Sequence, residues 1–250
     1  MKYILVLSIL GVLAYVLMHL SFSPPQIEQQ RINPVEVTPV TQQQVRLVGK
    51  YKYYIMHLAR RSVNLHTNLD QKLASSLLIS KFHCDSAASG GFYDANDNPI
   101  GLFVSENAKV SSAINHDLFI GYLYSQNGES ISISRQSPGI DVLWALQSGP
   151  IVWDEGPTTV RVKNDENARR IVAAVDVNGA GYLLSIVDGG SEYSGPPLTE
   201  LTDLVGQIET REGLHFSTAI NLDGGFHSFF KTESVYLGSL APAGSILCVQ

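Results

Sequence analysis

Short strand-like runs recur from residue 44 to residue 230, whereas only two segments after residue 44 carry helical spacing. That imbalance most narrows the folds open to this chain. Gln44–Leu58 is rich in Val, Ile and Tyr; Leu118–Tyr124 and Ser130–Arg135 flank a Gln126-Asn127-Gly128 turn; Arg170–Val175 and Tyr182–Val187 flank Asn178-Gly179. Asn-Gly between apolar runs is a hairpin signal because both central residues of the tight turn need positive φ. One helical segment is Leu69–Ser80, with Asn68 as N-cap and Leu73, Leu77 and Leu78 on one side. The other opens at Pro196-Pro197 and runs to about Glu209, its Leu198, Leu201, Leu204, Val205 and Ile208 spaced by three or four residues. Alternating βαβ units would need more helices than that. The expected fold is therefore α+β, a single domain of mixed or antiparallel strands with two main helices.

The N-terminus reads differently. Tyr3–Phe22 is apolar, follows Lys2, and has no Asp, Glu, Lys or Arg. Twenty helical residues rise roughly 30 Å, enough to cross a bilayer. The exit Met18-His19-Leu20-Ser21-Phe22-Ser23 lacks the small-x-small pattern of a signal-peptide cleavage site. A retained anchor and a cleaved leader are both open, and both place the body in the cell envelope, outside the cytoplasm. Ser23–Gln44, rich in Pro and Gln, reads as an extended tether. The chain divides into 1–22 (membrane anchor or signal segment), 23–44 (tether) and 45–250 (globular domain). With 44% hydrophobic residues, 16% charged residues and a net charge of -6, nothing invites nucleic acid. Cys84 and Cys248 are either an envelope disulfide or two buried thiols.

The stretch with most chemical content is Ser217–Phe230, STAINLDGGFHSFF. Strand alternation puts Thr218, Ile220 and Leu222 on one face and Ala219, Asn221 and Asp223 on the other. Gly224-Gly225 follows at once and leaves its backbone N–H groups uncovered by side chains. A helix packed behind the strand would leave Asn221 and Asp223 on the open side. The plainer alternative is an Asp-Gly turn with a satisfied carboxylate. Asp94-Ala95-Asn96-Asp97-Asn98 has oxygens at alternate positions. Pro99 and Ser105 stand where an EF-hand needs Gly and Glu, so the segment reads as a polar turn. Ser148 follows an apolar run without a GxSxG elbow or a specified base, which makes it a hydrogen-bond donor rather than a nucleophile.

Four blocks occur in order: SGGFYDANDNPIGLFVSENAK (Ser89–Lys109), ALQSGPIVWDEG (Ala145–Gly156), ARRIVAAVDVNGAGYLLSIVDGG (Ala168–Gly190) and NLDGGFHSFF (Asn221–Phe230). Together they resemble the phosphodiester glycosidase family, with its NGGFF-like block, QSGP, R-T-A-I-G strand and NLDGGGSS. The resemblance implies hydrolysis of a sugar-1-phosphodiester from a phosphorylated acceptor or envelope polymer. The rival reading is an envelope protein that binds a glycan without cleaving it. The implied catalytic residues are Asp223, as the carboxylate beside an oxocarbenium-like centre, Arg170, as a bidentate phosphate reader, and Asp188 behind them. The implied substrate contacts are Gly90, Gly91, Asp94, Ser148, Asn221, Gly224, Gly225, His227 and Ser228. No cofactor or metal site is implied, a divalent cation being left open. The partners are then a carbohydrate or sugar-phosphate substrate and a membrane engaged through Tyr3–Phe22. Phe226 and His227 depart from the family's glycine-rich ending, and Ser89 stands where Asn is usual.

Overall fold

Turns at glycine and asparagine cut the β-rich segments into short strands that return on one another. The computed structural model describes residues 45–139 and 141–250. In chain order these residues form β1 (Arg46–Val48), β2 (Tyr51–His57), β3 (Val63–Thr67), helix α1 (Ser75–Lys81), β4 (Ser86–Ser89), β5 (Phe103–Ser105), β6 (Ala108–Ser111), β7 (Gly121–Ser125), β8 (Ser132–Ser134), β9 (Trp144–Ser148), β10 (Ile151–Asp154), β11 (Arg170–Asp176), β12 (Gly181–Asp188), helix α2 (Leu198–Glu212), β13 (Phe216–Leu222), β14 (Phe230–Lys231), β15 (Tyr236–Leu237) and β16 (Ser245–Val249). Three sheets result, in the orders β1-β2-β12-β11-β13-β10, β15-β14-β4-β16-β3 and β6-β5-β9-β7-β8. Every pairing within them is antiparallel. The α+β reading with two helices holds, and of its two strand options the structure takes the antiparallel one.

All three sheets contribute to one central core. Ile171, Ala173, Ile220 and Leu222 of the first sheet meet Leu65, Phe230 and Leu247 of the second and Phe103, Leu123 and Leu146 of the third. On its other face the first sheet is covered by α2, whose Leu201, Val205 and Ile208 pack on Val172, Ala174, Leu184 and Ala219. Burying each such side chain stabilises by roughly 1.5–3 kcal/mol, and this apolar stripe holds α2 in place.

Two expectations change here. Helix α2 covers the Ala219 face of β13, not the face of Ile220. The register pairs Ala174 with Ala219 and Val172 with Asn221, so Asn221 lies on the helix side and is fully buried. Helix α1 begins at Ser75 rather than Leu69, because Lys72 has left-handed backbone, φ 45°. Asn68 does not cap it. Its Oδ1 accepts from the Leu73 amide (2.9 Å), and its Nδ2 donates to the carbonyls of Leu73 (3.0 Å) and Ala243 (2.8 Å). Leu77 is consequently exposed. Cys84 and Cys248 are joined in a disulfide. The anchor segment Tyr3–Phe22 and the 23–44 tether lie outside the described residues. Among the described residues no helix is long and apolar enough to cross a membrane.

Candidate active site

Strand β13 leaves its sheet at Leu222, where the next amide finds a partner in another sheet. Asp223 N donates to the Gly90 carbonyl at 3.0 Å, and Ser89 Oγ donates to the Asp223 carbonyl at 3.1 Å. Two blocks more than a hundred residues apart are thus fastened at the ends of β4 and β13. A 3₁₀ turn, Gly225–His227, follows. A cavity of about 410 Å³ opens there, lined by Asp223 and His227 and by Tyr93, Asp94 and Asp97. The wall is completed by Asn68, Leu69 and Lys72 from the β3–α1 loop and by Pro242–Gly244 ahead of β16.

Asp223 is the distinctive group. Burial pushes its carboxyl up from 3.8 to about 7, while the charge of His227 and the Gly224 amide pull the other way. A carboxyl there exchanges a proton near neutrality, as a general base or acid must. His227 Nδ1 lies 3.1 Å from the Pro242 carbonyl. A carbonyl only accepts, so Nδ1 carries the proton that holds the ring against Pro242. Asp94 is held ionised, first by the backbone amide of Asn98. Its Oδ1 accepts from the amides of Asn96 (2.8 Å) and Asn98 (2.9 Å), which makes 94–98 the expected polar turn.

Tyr93, absent from the sequence expectations, lies against Asp223. Its hydroxyl is buried near Ser245 without a well-formed hydrogen bond, and burial pushes the phenol above its ordinary range, opposed by Ser245 and reinforced by the Asp223 charge. Gly244 makes room for its ring: a Cβ there would come within 2.2 Å of a ring carbon. The aromatic beside Gly90-Gly91 was the available signal. For Asn68, Lys72 and Gly244 there was none, since β3 and β16 bring them in through pairing at long range.

Other expected site residues are placed elsewhere. The Gly-rich backbones offer little free N–H: Gly90 N donates to Ser245 O (3.3 Å), Gly91 N to Ser245 Oγ (3.2 Å) and Gly225 N to Arg169 O (2.9 Å). Arg170 points to the helix face of the first sheet. There its Nε donates to Pro196 O at 2.8 Å, its Nη2 donates to Glu166 O, and Asp165 lies 3.7 Å away. It therefore ties the loop before β11 to the start of α2 and does not line the cavity. Asp188 ends β12 at the same sheet end as Asp223, but its Oδ1 accepts from Gly190 N at 2.8 Å, closing a local turn. Ser148 Oγ donates to Asn221 O (2.7 Å), and Asn221 Nδ2 donates to Gly149 O (3.1 Å). Both side chains are buried and lock β9 to β13. Ser228 is buried as well, its Oγ donating to Gly225 O (2.8 Å) and accepting from Arg169 Nε (2.8 Å).

Arg169 has a scaffolding role as well, on the site side of the strand. Its guanidinium also donates to Ser228 O and to Gly238 O (2.8 Å), and burial pulls it down to about 10. It holds the back of the turn that presents Asp223 and His227. Of the expected site residues, Asp223, Asp94 and His227 line the cavity, while Gly90, Gly91, Gly224, Gly225, Arg170, Asp188, Ser148, Asn221 and Ser228 are not part of its lining. No cluster of three or more His, Cys, Asp or Glu among the described residues is placed to hold a metal ion.

A search of curated proteins by sequence returns no match. Among solved structures the fold is similar to a hypothetical protein from Synechocystis, with TM-score 0.60 and 13% identity, over 82% of this chain and 60% of that one. It is also similar to the zebrafish N-acetylglucosamine-1-phosphodiester alpha-N-acetylglucosaminidase catalytic domain auto-inhibited by pro-peptide, with TM-score 0.57 and 12% identity, over 81% and 84% of the two chains. Residues 83–238 match the family described as Phosphodiester glycosidase. That match takes in all four glycine-bearing blocks and more than half of the sequence, and this chain accordingly belongs to the phosphodiester glycosidase family.

Proposed function

We propose that the chain is an exported hydrolase that releases a sugar from a sugar-1-phosphodiester in the cavity beside Asp223. The observation that carries this reading is a carboxyl poised near pH 7 on the wall of a cavity about the size of a small glycoside. In the reaction the C1–O bond to phosphate breaks and an attacking water forms the new C1–O bond. Asp223 takes the water's proton, and the phosphomonoester leaves with little need of one. His227, on the wall of the same cavity, hydrogen-bonds a substrate hydroxyl. Export is supported by Tyr3–Phe22 and by the Cys84–Cys248 disulfide, which suits an oxidising compartment.

A second reading, glycan binding without cleavage, is favoured by the engaged glycine amides and by Phe226, 62% exposed on the Gly225–His227 turn, an aromatic face open to a sugar ring. Incubating the purified full chain with methyl sugar-1-phosphates and assaying free sugar separates the two. Hydrolysis is expected, with kcat/KM rising about tenfold per pH unit below about pH 7 and levelling above it. Asp223→Asn should abolish it. Sugar release by a folded Asp223→Asn protein at an undiminished rate would sink the assignment.

A further inference from the structure

A phosphodiester carries a negative charge, yet the arginine expected to read it, Arg170, faces α2, and Arg169 is fully enclosed behind the 225–228 turn. Of the described residues lining the cavity, Lys72 alone has a permanent positive charge. It lies outside the residues matched by the family, 83–238. Its backbone is left-handed at φ 45°, a conformation that costs a non-glycine residue about 1 kcal/mol or more and persists only where the surroundings enforce it. Here they do. Lys72 N donates to Asn68 O at 2.9 Å, and buried Asn68 is riveted to Leu73 and Ala243 by three side-chain hydrogen bonds.

The lysine Nζ donates to Asp97 Oδ2 at 2.6 Å. Asp97 also has left-handed backbone, φ 64°. Two loops from different parts of the chain thus meet in one ion pair at the rim of one cavity. Surface ion pairs are worth little to stability, so stability does not account for the arrangement.

We infer that Lys72 is the phosphate-reading residue of this cavity, with Asp97 as the resting counter-ion that the diester replaces. The inference rests on the reading of the cavity as a sugar-phosphodiester site. An ammonium is a compact charge on a flexible stem with three donors, so it can leave Asp97 for a phosphate oxygen without moving the backbone. Asp94 is engaged by the Asn96 and Asn98 amides, and Asp223 and His227 face the sugar side of the substrate, which leaves Lys72 to face the phosphate.

The test is equilibrium binding of a methyl sugar-1-phosphate, and of the uncharged methyl glycoside of the same sugar, to the full chain at low and high salt, with Asp223→Asn in every protein compared so that no turnover intervenes. Lys72→Gln should weaken diester binding roughly tenfold or more, remove most of its salt dependence, and leave the methyl glycoside unaffected. Asp97→Asn should tighten diester binding by freeing the ammonium. Lys72-dependent binding without sugar release by the wild type would keep this inference and defeat the hydrolase reading. Equal diester binding with and without Lys72→Gln, or none in either case, would overturn it.

Discussion

At the scale of single residues, Asp223 combines a functional gain with a stability loss. Its folded pKa is raised, from 3.8 to about 7, so between those values the folded chain keeps a proton that the unfolded chain releases. The associated stability is fully present below about pH 4, falls as pH rises to about 7, and is constant above that. A tenfold difference in proton affinity between the folded and unfolded chains corresponds to about 1.4 kcal/mol. Since the cavity admits water, a net effect on the order of 2 kcal/mol is the reasonable expectation. Asp223→Asn should therefore raise the melting temperature by several degrees at pH 8, with little change at pH 4.5, while activity is lost. Melting curves of both proteins at the two pH values check this, and parallel pH dependences would count against it. Asp223 was legible in the sequence because strand alternation and the following glycines set it at a sheet end. Arg170 was not. Which of two adjacent arginines faces which side depends on the register of β11, and one residue of phase exchanges the faces.

Among elements, the turn from β13 to β14 is fixed from behind by β11. A Cβ on Gly224 would lie 2.3 Å from the Arg169 carbonyl oxygen, the same oxygen that accepts from Gly225 N. A backbone oxygen cannot swing aside, so Gly224→Ala must push the turn off β11 and break that bond. We expect destabilisation of about 2–3 kcal/mol together with a loss of at least tenfold in kcat/KM as Asp223 shifts. Gly189→Ala, whose added carbon would sit 3.4 Å from Lys50 O, is the matched control and should be nearly silent. Urea midpoints of the two variants decide the matter: equal shifts would remove the turn-locking role given to Arg169. The hairpins around Asn127-Gly128 and Asn178-Gly179 and the stripe of α2 could be read from sequence because each is set by local chemistry. The start of α1 could not. Its apolar spacing continues back to Leu69, but Asn68 binds Leu73 and Ala243 instead of capping, a choice made by the strand that arrives from the C-terminus.

For the whole molecule, that C-terminal strand is what closes the site. β16 pairs with β3 on one side and β4 on the other, and so joins the loop bearing Lys72 to the block bearing Gly90 and Tyr93. The sequence shows four blocks but no sign that residues 242–244 complete their cavity. The Cys84–Cys248 disulfide secures the arrangement across a separation of 164 residues. Closing so long a loop in the unfolded chain removes about 5 kcal/mol of conformational freedom on the chain-entropy estimate. Inside the folded domain the ladders β3–β16 and β4–β16 hold the same strands without it. A Cys84→Ser/Cys248→Ser variant should thus lose on the order of 2–5 kcal/mol in urea unfolding yet, while folded, retain its affinity for a methyl sugar-1-phosphate. Reduction of the wild type should give the same pair of results. If the variant instead kept its stability and lost the affinity, the disulfide would be shaping the cavity directly, and the strand ladders would not be what positions Gly244 against Tyr93.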